Sequence, residues 1–205
     1  MQVYIKVRKN SKVDEKVLLK RARKSVINKI TRKIRDCVFH AKEDFLKDFL
    51  EHPVTKEIQA GADATNISGT LGGYGCLFSY IGFENGTDPI EPILRRIKNI
   101  QVRIYQTDTI LRYTIVVPRM DSIEKATPMP WASGRSWVRG IEHGIAGMGH
   151  YFHNPKGKLK NSRSGTAVQI AKKQRSGRYK NTKYLSEMID DFHMKVRSYI
   201  KREFQ

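Results

Sequence analysis

The sequence predicts an α+β fold in which a long N-terminal amphipathic helix and a C-terminal helix pack on a small antiparallel sheet, with long extended loops. Apolar residues recur every three or four positions over residues 14–50 and again over 184–204, which is the spacing of one helix face. Two runs of alternating apolar and polar residues, joined by a polar turn, occupy 100–117 and predict a β-hairpin.

The chain length of 205 residues predicts a single α+β domain over residues 1–205. Apolar residues make up 39% of the chain and charged residues 29%, a balance that favours a modest core with exposed charged extensions. We expect the core in residues 1–117 and 184–205, and an extended loop or arm region over 118–183.

The N-terminal third combines one strand with the long helix. Alternation of Val3, Ile5 and Val7 with polar residues predicts a strand over residues 2–8. The helix over 14–50 carries one continuous apolar stripe. Its members are Leu18, Ala22, Val26, Ile30, Ile34, Val38, Ala41, Phe45 and Phe49. Pro53 stops this helix.

The middle of the chain alternates short elements with a glycine-rich stretch. A short amphipathic segment is expected over 54–60. Glycines beside aromatic residues over 61–86 predict an ordered loop with tight turns that packs on the core. A short helix around 90–98 and the hairpin of 100–117 follow.

The region after the hairpin gives weaker patterns. A helical segment is expected over 120–126, and two prolines make 127–131 extended. Residues 136–152 have apolar side chains at helical spacing, which predicts a helix that four glycines weaken. The basic segment 154–183 contains one short strand, at 167–170.

The net charge of +19 is concentrated in two segments. Residues 1–35 have a net charge of +11, residues 156–183 have +10 without a single acid, and the remainder of the chain has −2. Concentrated positive charge is the electrostatic signature of binding to nucleic acid or to an acidic protein. The alternative is a solvated helix face and a basic loop that only keep the protein soluble.

The acid-free segment is the first place where we expect contact with DNA or an acidic partner. Its candidate contact residues are Lys156, Lys158, Lys160, Arg163, Lys172, Lys173, Arg175, Arg178, Lys180 and Lys183.

The long helix changes sign along its polar face, from basic in its first half to acidic in its second. This arrangement favours head-to-tail contact between identical subunits, and exposed tryptophans often anchor such interfaces. The candidate subunit contacts are Lys20, Arg21, Arg23, Lys24, Asp44, Asp48, Trp131 and Trp137. The alternative for the two tryptophans is that both cover the sheet.

No catalytic or cofactor-binding pattern emerges. The loop that cradles phosphates needs Lys and then Ser or Thr after its last glycine, whereas Gly75 is followed by Cys76. His143, His150 and His153 lie close in sequence, but no cysteine pair or carboxylate completes a zinc site. We therefore predict no catalytic, metal or cofactor residues and no enzymatic activity.

The two cysteines, Cys37 and Cys76, lie far apart in apolar surroundings and are expected to be buried free thiols in a reducing compartment. Neither a signal peptide pattern nor an apolar run long enough for a membrane is apparent. We expect a protein kept inside the cell or packaged from there.

The order of several segments resembles a family. The long basic helix is followed by His-Pro-Val-Thr-Lys-Glu-Ile at 52–58, Gly-Thr-Leu-Gly-Gly at 69–73 and Leu-Phe-Ser-Tyr-Ile-Gly-Phe at 77–83. Later come Ser-Arg-Ser-Gly at 162–165 and Tyr-Leu at 184–185. This order is similar to that of head–tail connector, neck and tail-completion virion proteins of tailed bacteriophages.

The resemblance implies a helix packed on a small antiparallel sheet, rings that are often sixfold around the DNA channel, and no catalytic residues to transfer. The implied location is the neck or tail junction of the virion, after synthesis in the bacterial cytoplasm and without a membrane. The implied partners are copies of itself, neighbouring connector, portal-side, tail-terminator or sheath proteins, and packaged DNA.

Two other functions stay open from the residues alone. A sequence-nonspecific nucleic-acid-binding protein would bind as a monomer with a steep dependence on salt. A metal-dependent nuclease would need His150 and His153 to act with magnesium or manganese.

Overall fold

The chain has an α+β architecture, as predicted. The computed structural model describes residues 2–6, 16–107, 110–145, 150–156, 159–170 and 179–205, with 2–6 and 16–22 described by their backbone only. The helices are α1 (Lys16–Glu51), α2 (Pro53–Gln59), α3 (Leu77–Ile81), α4 (Glu91–Lys98), α5 (Met120–Ala126), α6 (Trp137–His143) and α7 (Leu185–Phe204). None of these described helices combines the length and the apolar character needed to cross a membrane.

The described strands form three small antiparallel sheets. They are β1 (Gln2–Lys6), β2 (Gln101–Gln106), β3 (Ile110–Val116), β4 (Pro128–Met129), β5 (Ala132–Ser136), β6 (His150–His153) and β7 (Ala167–Ile170). The largest sheet has the order β1-β3-β2, and β4-β5 and β6-β7 are two-stranded. In the largest sheet Val102 lies opposite Ile115, and Ile104 lies opposite Tyr113, so these apolar residues share one face.

The main core lies between the second half of α1 and α7. Both helices have the apolar spacing that places a stripe on one face. Phe45 packs on Phe192 with ring centroids 5.7 Å apart, and Phe49 stacks on Tyr184 at 6.0 Å. All four side chains are buried. Thus the two longest predicted helices pack on each other, and α7 closes the main core.

The first half of α1 packs instead on the three-stranded sheet. A second, smaller buried cluster consists of Ile34, Leu111 and Tyr113, and partly buried Ile27 and Ile30 pack against it. α1 is 36 residues long, or about 54 Å, so it is long enough to span both clusters. We call the unit formed by residues 16–35 and the three-stranded sheet the wing, and the remainder of the structure the body.

The glycine-rich stretch is ordered by a buried carboxylate. Glu57 of α2 is 0% exposed; it accepts hydrogen bonds from the backbone N–H of Ser68 and that of Leu77, both at 2.8 Å. Leu77 is the first residue of α3, so Glu57 satisfies a donor that the helix itself leaves unpaired. Thr70 and Leu71 are buried, which confirms the prediction of an ordered loop packed on the core.

The region 118–183 differs most from its predicted structure. Met129, Trp137, Val138 and Ile141 belong to the main core, so the prediction that this region is an extended loop outside the core is wrong for these residues. Prolines and glycines divide this stretch into elements of two to seven residues, too short for a clear periodicity.

The helix predicted over 136–152 is also too long. α6 ends at His143, where Gly144 has a φ of 100°, a conformation that side chains other than hydrogen disfavour. Residues 150–153 form β6 instead. Gly144 therefore ends the helix, whereas the pattern predicted only that glycines weaken it.

His52 caps α2 in a way that makes stability depend on pH. Its Nδ1 accepts a hydrogen bond from the Val54 N–H at 3.2 Å, and its ring packs on Tyr184 with centroids 4.8 Å apart. A nitrogen that accepts a hydrogen bond cannot carry a proton. Burial lowers the pKa of His52 below its ordinary value of 6.5.

We expect the free energy of unfolding to decrease as the pH falls below about 6.5, because the unfolded chain then binds a proton that folded His52 resists. The stabilisation by neutral His52 is fully present above the pKa that this histidine has in the unfolded chain. It is lost as the pH falls through the pKa of His52 in the folded chain. His52→Asn should depend less on pH, since an amide oxygen caps without titrating. Urea unfolding between pH 5 and pH 8 measures the free energy of unfolding of the original protein and of His52→Asn. An identical pH dependence of the two proteins would contradict the role of His52.

Candidate polyanion interface

A groove beside β7 brings together cations and aromatic rings from distant parts of the chain. It has a volume of about 500 Å³. Its main lining residues are Tyr80, Gly82, Trp131, Tyr151, Lys160 and Arg163. Cations interleaved with aromatic rings are the chemistry that binds phosphates and the bases attached to them.

Trp131 forms one wall of the groove and is half-buried. Its Nε1–H donates to the Ile81 carbonyl at 2.8 Å. Gly82 ends α3 in the left-handed region, and a Cβ at this position would lie 3.3 Å from Trp131 Cδ1. The close approach of the indole to the end of α3 therefore depends on a glycine there.

The two cations of the groove are held differently. The Arg163 guanidinium donates to the Pro130 carbonyl at 2.9 Å and lies 3.8 Å from the Glu84 carboxylate. Lys160 is exposed. Lys160 and Arg163 together face one carboxylate, that of Glu84, so these three side chains carry a net positive charge.

The groove rests on a folded part of the basic segment. Ser79 Oγ and Thr166 Oγ1 are 2.8 Å apart in the buried interior, and Asn85 donates to the Ser164 carbonyl at 2.9 Å. These bonds connect the β6-β7 hairpin to α3 and to the loop after it. Residues 159–170 are thus part of the body.

Aromatic contacts complete this attachment. Tyr80 packs edge-to-face on Tyr151 with centroids 5.2 Å apart and stacks on Tyr179 at 5.8 Å. Burial raises the pKa of all three phenols above the usual value of 10, so they stay uncharged near neutral pH. No phenolate therefore opposes the cations of the groove.

The cations predicted for the basic segment are only partly placed. Lys156, Lys160, Arg163, Lys180 and Lys183 are exposed. Five further candidates lie outside the described residues, namely Lys158, Lys172, Lys173, Arg175 and Arg178. Of the described candidates, Lys160 and Arg163 line the groove. Contact of the segment with DNA or an acidic partner stays a prediction.

The basic candidates for subunit contact lie on the wing. The side chains of Lys20 and Arg21 lie outside the described part of the chain. Arg23 donates to the Thr107 carbonyl at 3.5 Å, a long bond that connects α1 to the tip of the hairpin. Lys24 is exposed.

The acidic candidates contact the same chain. Tyr199 donates to Asp44 Oδ2 at 2.5 Å, and Lys195 Nζ lies 2.6 Å from Asp48 Oδ2. Both acids thus connect α1 to α7, and their predicted role in head-to-tail contact stays a prediction. The sequence pattern showed a charged face but not which helix would cover it.

The two tryptophans have different environments. Trp137 is 1% exposed and lies in the main core, where it packs edge-to-face on Phe83. The prediction that it contacts another subunit is therefore wrong, because no partner can reach it in this fold. Trp131 remains accessible in the groove.

Two exposed apolar side chains on α1 were not identified from the sequence. Phe39 is 54% exposed and Leu50 is 40% exposed. Both fall outside the apolar stripe of α1, and that departure is the signal that could have revealed them. They are eleven residues apart, close to three full turns, so they lie on the same side of the helix.

The described residues give no support for a metal site or for a reactive thiol. Among the residues that the structure describes, no three His, Cys, Asp or Glu side chains lie close enough to hold a metal ion. Cys37 and Cys76 are buried free thiols, as predicted, and burial raises the pKa of each. A raised pKa keeps a thiol protonated and unreactive.

Comparison with known proteins adds nothing to this picture: no protein-family model, no curated protein and no solved structure matches the chain.

Proposed function

We propose that the chain is a structural virion protein of a tailed bacteriophage that forms an oligomeric ring at the neck, around the DNA channel. The observation that carries this proposal is the way in which the segments responsible for the family resemblance fold. The segment 52–58 supplies Glu57, whose carboxylate binds the N–H of Ser68, just before the segment 69–73, and that of Leu77, which begins the segment 77–83.

The later segments belong to the same body. Thr55 of the first segment hydrogen-bonds to Tyr184 at 2.5 Å, and Ser79 of the third bonds to Thr166, next to the segment 162–165. The resemblance therefore describes residues that depend on one another in a single packed unit.

A ring needs a surface that binds a different surface of the next copy. Phe39 and Leu50 supply an apolar surface on the solvent side of α1, with exposed Glu43 between them. Burying two large apolar side chains stabilises an interface by roughly 1.5–3 kcal/mol each. We infer that this surface, which we call the apolar face of α1, contacts the neighbouring copy.

We expect the purified protein to form closed rings in negative-stain micrographs, with a mass that is a multiple of 23.7 kDa. Replacing both Phe39 and Leu50 with serine should shift the mass distribution towards the monomer, because the apolar contact is lost. Mass photometry over a dilution series measures the shift.

The matched control replaces Ile67 and Met194 with serine, since these residues are 53% and 58% exposed and lie elsewhere. The control should assemble like the original protein. Assembly that is unchanged in the α1 variant, or consistent absence of the protein from purified virions, would contradict the proposal.

Sequence-nonspecific binding of nucleic acid is a second candidate function, and the groove with Trp131, Lys160 and Arg163 favours it. A monomer that binds DNA and never assembles would support this function over the ring. A metal-dependent nuclease has no comparable support, since His150 is exposed, His153 is half-buried, and neither belongs to a group of potential metal ligands among the described residues.

A further inference from the structure

The solvent side of the wing helix is a continuous cationic surface. Four cations in the first half of α1 are exposed, and the residues between them on this side, Ser25 and Asn28, are small and polar. The cations are Lys24, Lys29, Arg32 and Arg35. We call these six residues the basic face of α1.

The charge of the basic face is not neutralised within the described structure. Lys33, on the flank, pairs with Glu203 at 2.6 Å. By contrast, no carboxylate among the described residues lies within ion-pair distance of Lys24, Lys29, Arg32 or Arg35. The sequence itself has no acid between residues 16 and 35. Four neighbouring cations with one nearby carboxylate, the exposed Asp36 one turn after Arg32, repel one another, and an external anion would relieve this repulsion.

We propose that the basic face of α1 binds the phosphate backbone of duplex DNA. The location of this surface does not depend on the proposed ring. The proposed function enters only in the choice of duplex DNA as the polyanion, because a neck ring encloses duplex DNA. The binding needs no sequence recognition, since the face presents charge and small polar groups.

The composition of the basic face favours DNA over another copy of the chain as its partner. Interfaces with DNA are more polar and far more positive than interfaces between proteins, whose centres carry apolar and aromatic anchors. On the same side of the same helix, Asn28 is eleven residues before Phe39, where the character changes from basic to apolar. The six residues of the basic face include no such anchor; exposed Val26 lies next to Lys29 at the edge of the face, about 120° around the helix from Arg32 and about 160° from Asn28.

In a head-to-tail contact, the basic face would bind acids in the second half of α1 of another copy. Two of these acids already bind side chains of their own chain. Asp44 and Asp48 bind Tyr199 and Lys195 of their own chain. A head-to-tail contact would have to break these bonds or rely on other acids. DNA requires no such exchange.

The dimensions of the face suit a duplex. Lys24 and Arg35 are eleven residues apart, or about 16 Å along the helix axis. One DNA strand carries a charge about every 3.4 Å of axis, so this length corresponds to about five phosphates. Ile27, Ile30 and Ile34 fix the opposite side of the helix on the sheet, which holds the cations in place before DNA arrives.

The test is DNA binding by the full chain, measured by fluorescence anisotropy with a 30-base-pair duplex of arbitrary sequence over a series of salt concentrations. Replacing Lys24, Lys29, Arg32 and Arg35 together with glutamine should weaken binding at least tenfold. The slope of log K against log salt should become shallower by up to about 0.9 for each lost phosphate contact.

Two matched variants lose the same charge elsewhere. One replaces the exposed cations Arg95, Lys98, Arg119 and Lys125, and the other replaces Lys156, Lys160, Lys180 and Lys183 of the basic segment. Circular dichroism checks that each variant is folded. A larger effect of the α1 variant than of both controls supports the proposal.

Equal losses in all three variants would show that net charge alone matters, and a loss confined to the basic segment would assign DNA to that segment; either result overturns the proposal. Failure of the original protein to bind DNA also overturns it, yet leaves the ring testable by microscopy. If the α1 variant binds DNA normally but no longer forms rings, the basic face is a subunit contact and the proposal is wrong.

Discussion

Replacing Glu57 with alanine should lower the free energy of unfolding by about 4 kcal/mol, because one buried and one partly buried N–H group lose a charged acceptor at once. These are the donors of Ser68 and Leu77, both 2.8 Å from the carboxylate. The loss should lower the melting temperature by roughly 8–16 °C for a chain of this size. Differential scanning calorimetry and urea unfolding measure both quantities.

Glu57→Gln provides a graded comparison. Its amide keeps one oxygen acceptor but turns an NH₂ group towards the second donor, so we expect about half of the loss, near 2 kcal/mol. Glu84→Ala is the control, since this exposed carboxylate has only a 3.8 Å ion pair with Arg163 and should change stability by less than about 1 kcal/mol. Similar stability of Glu57→Ala and Glu84→Ala would show that the loop is held by other contacts.

Replacing Trp137 with alanine should also destabilise the protein by about 4 kcal/mol, because it removes a large side chain from a packed core. Trp137 is 1% exposed and packs on Phe83. Its loss should therefore appear as a lower midpoint of urea unfolding, without a specific effect on assembly below that midpoint.

Trp131→Ala is the matched comparison. It removes the same side chain from a half-buried position, where Nε1–H donates to the Ile81 carbonyl at 2.8 Å. We expect a smaller loss of stability, about 2 kcal/mol, since less apolar surface is exposed to water. Equal losses for the two tryptophans would contradict the distinction between a core residue and a groove residue.

The long elements could be predicted because their periodicity extends over many turns. The stripe on α1 identified Phe45 and Phe49 as core residues, and the alternation at 100–117 gave the hairpin of β2 and β3. Both patterns depend on the local geometry of one element and need no knowledge of the tertiary structure.

The site could be predicted less well, since it depends on contacts between distant residues. Nothing in the spacing of Glu57, Ser68 and Leu77 shows that one carboxylate binds both backbone groups. Similarly, the sequence shows that Asp44 and Asp48 lie on a charged helix face, but not that they bind Tyr199 and Lys195 of α7. Only the packing of α7 on α1 shows these contacts.

α1 belongs to two cores of very different size, so its two halves should differ in how readily they unfold locally. The described buried cluster of the wing contains Ile34, Leu111 and Tyr113, whereas the body has a core many times larger. Segments with few buried contacts open with less free energy than the global unfolding transition, so amide protons of the wing should exchange faster than those of α7. A ligand that binds only the closed wing adds about 2.7 kcal/mol to its protection at a hundredfold excess over Kd. The least protected part of the molecule is thus the part in which hydrogen exchange would register a bound polyanion most strongly.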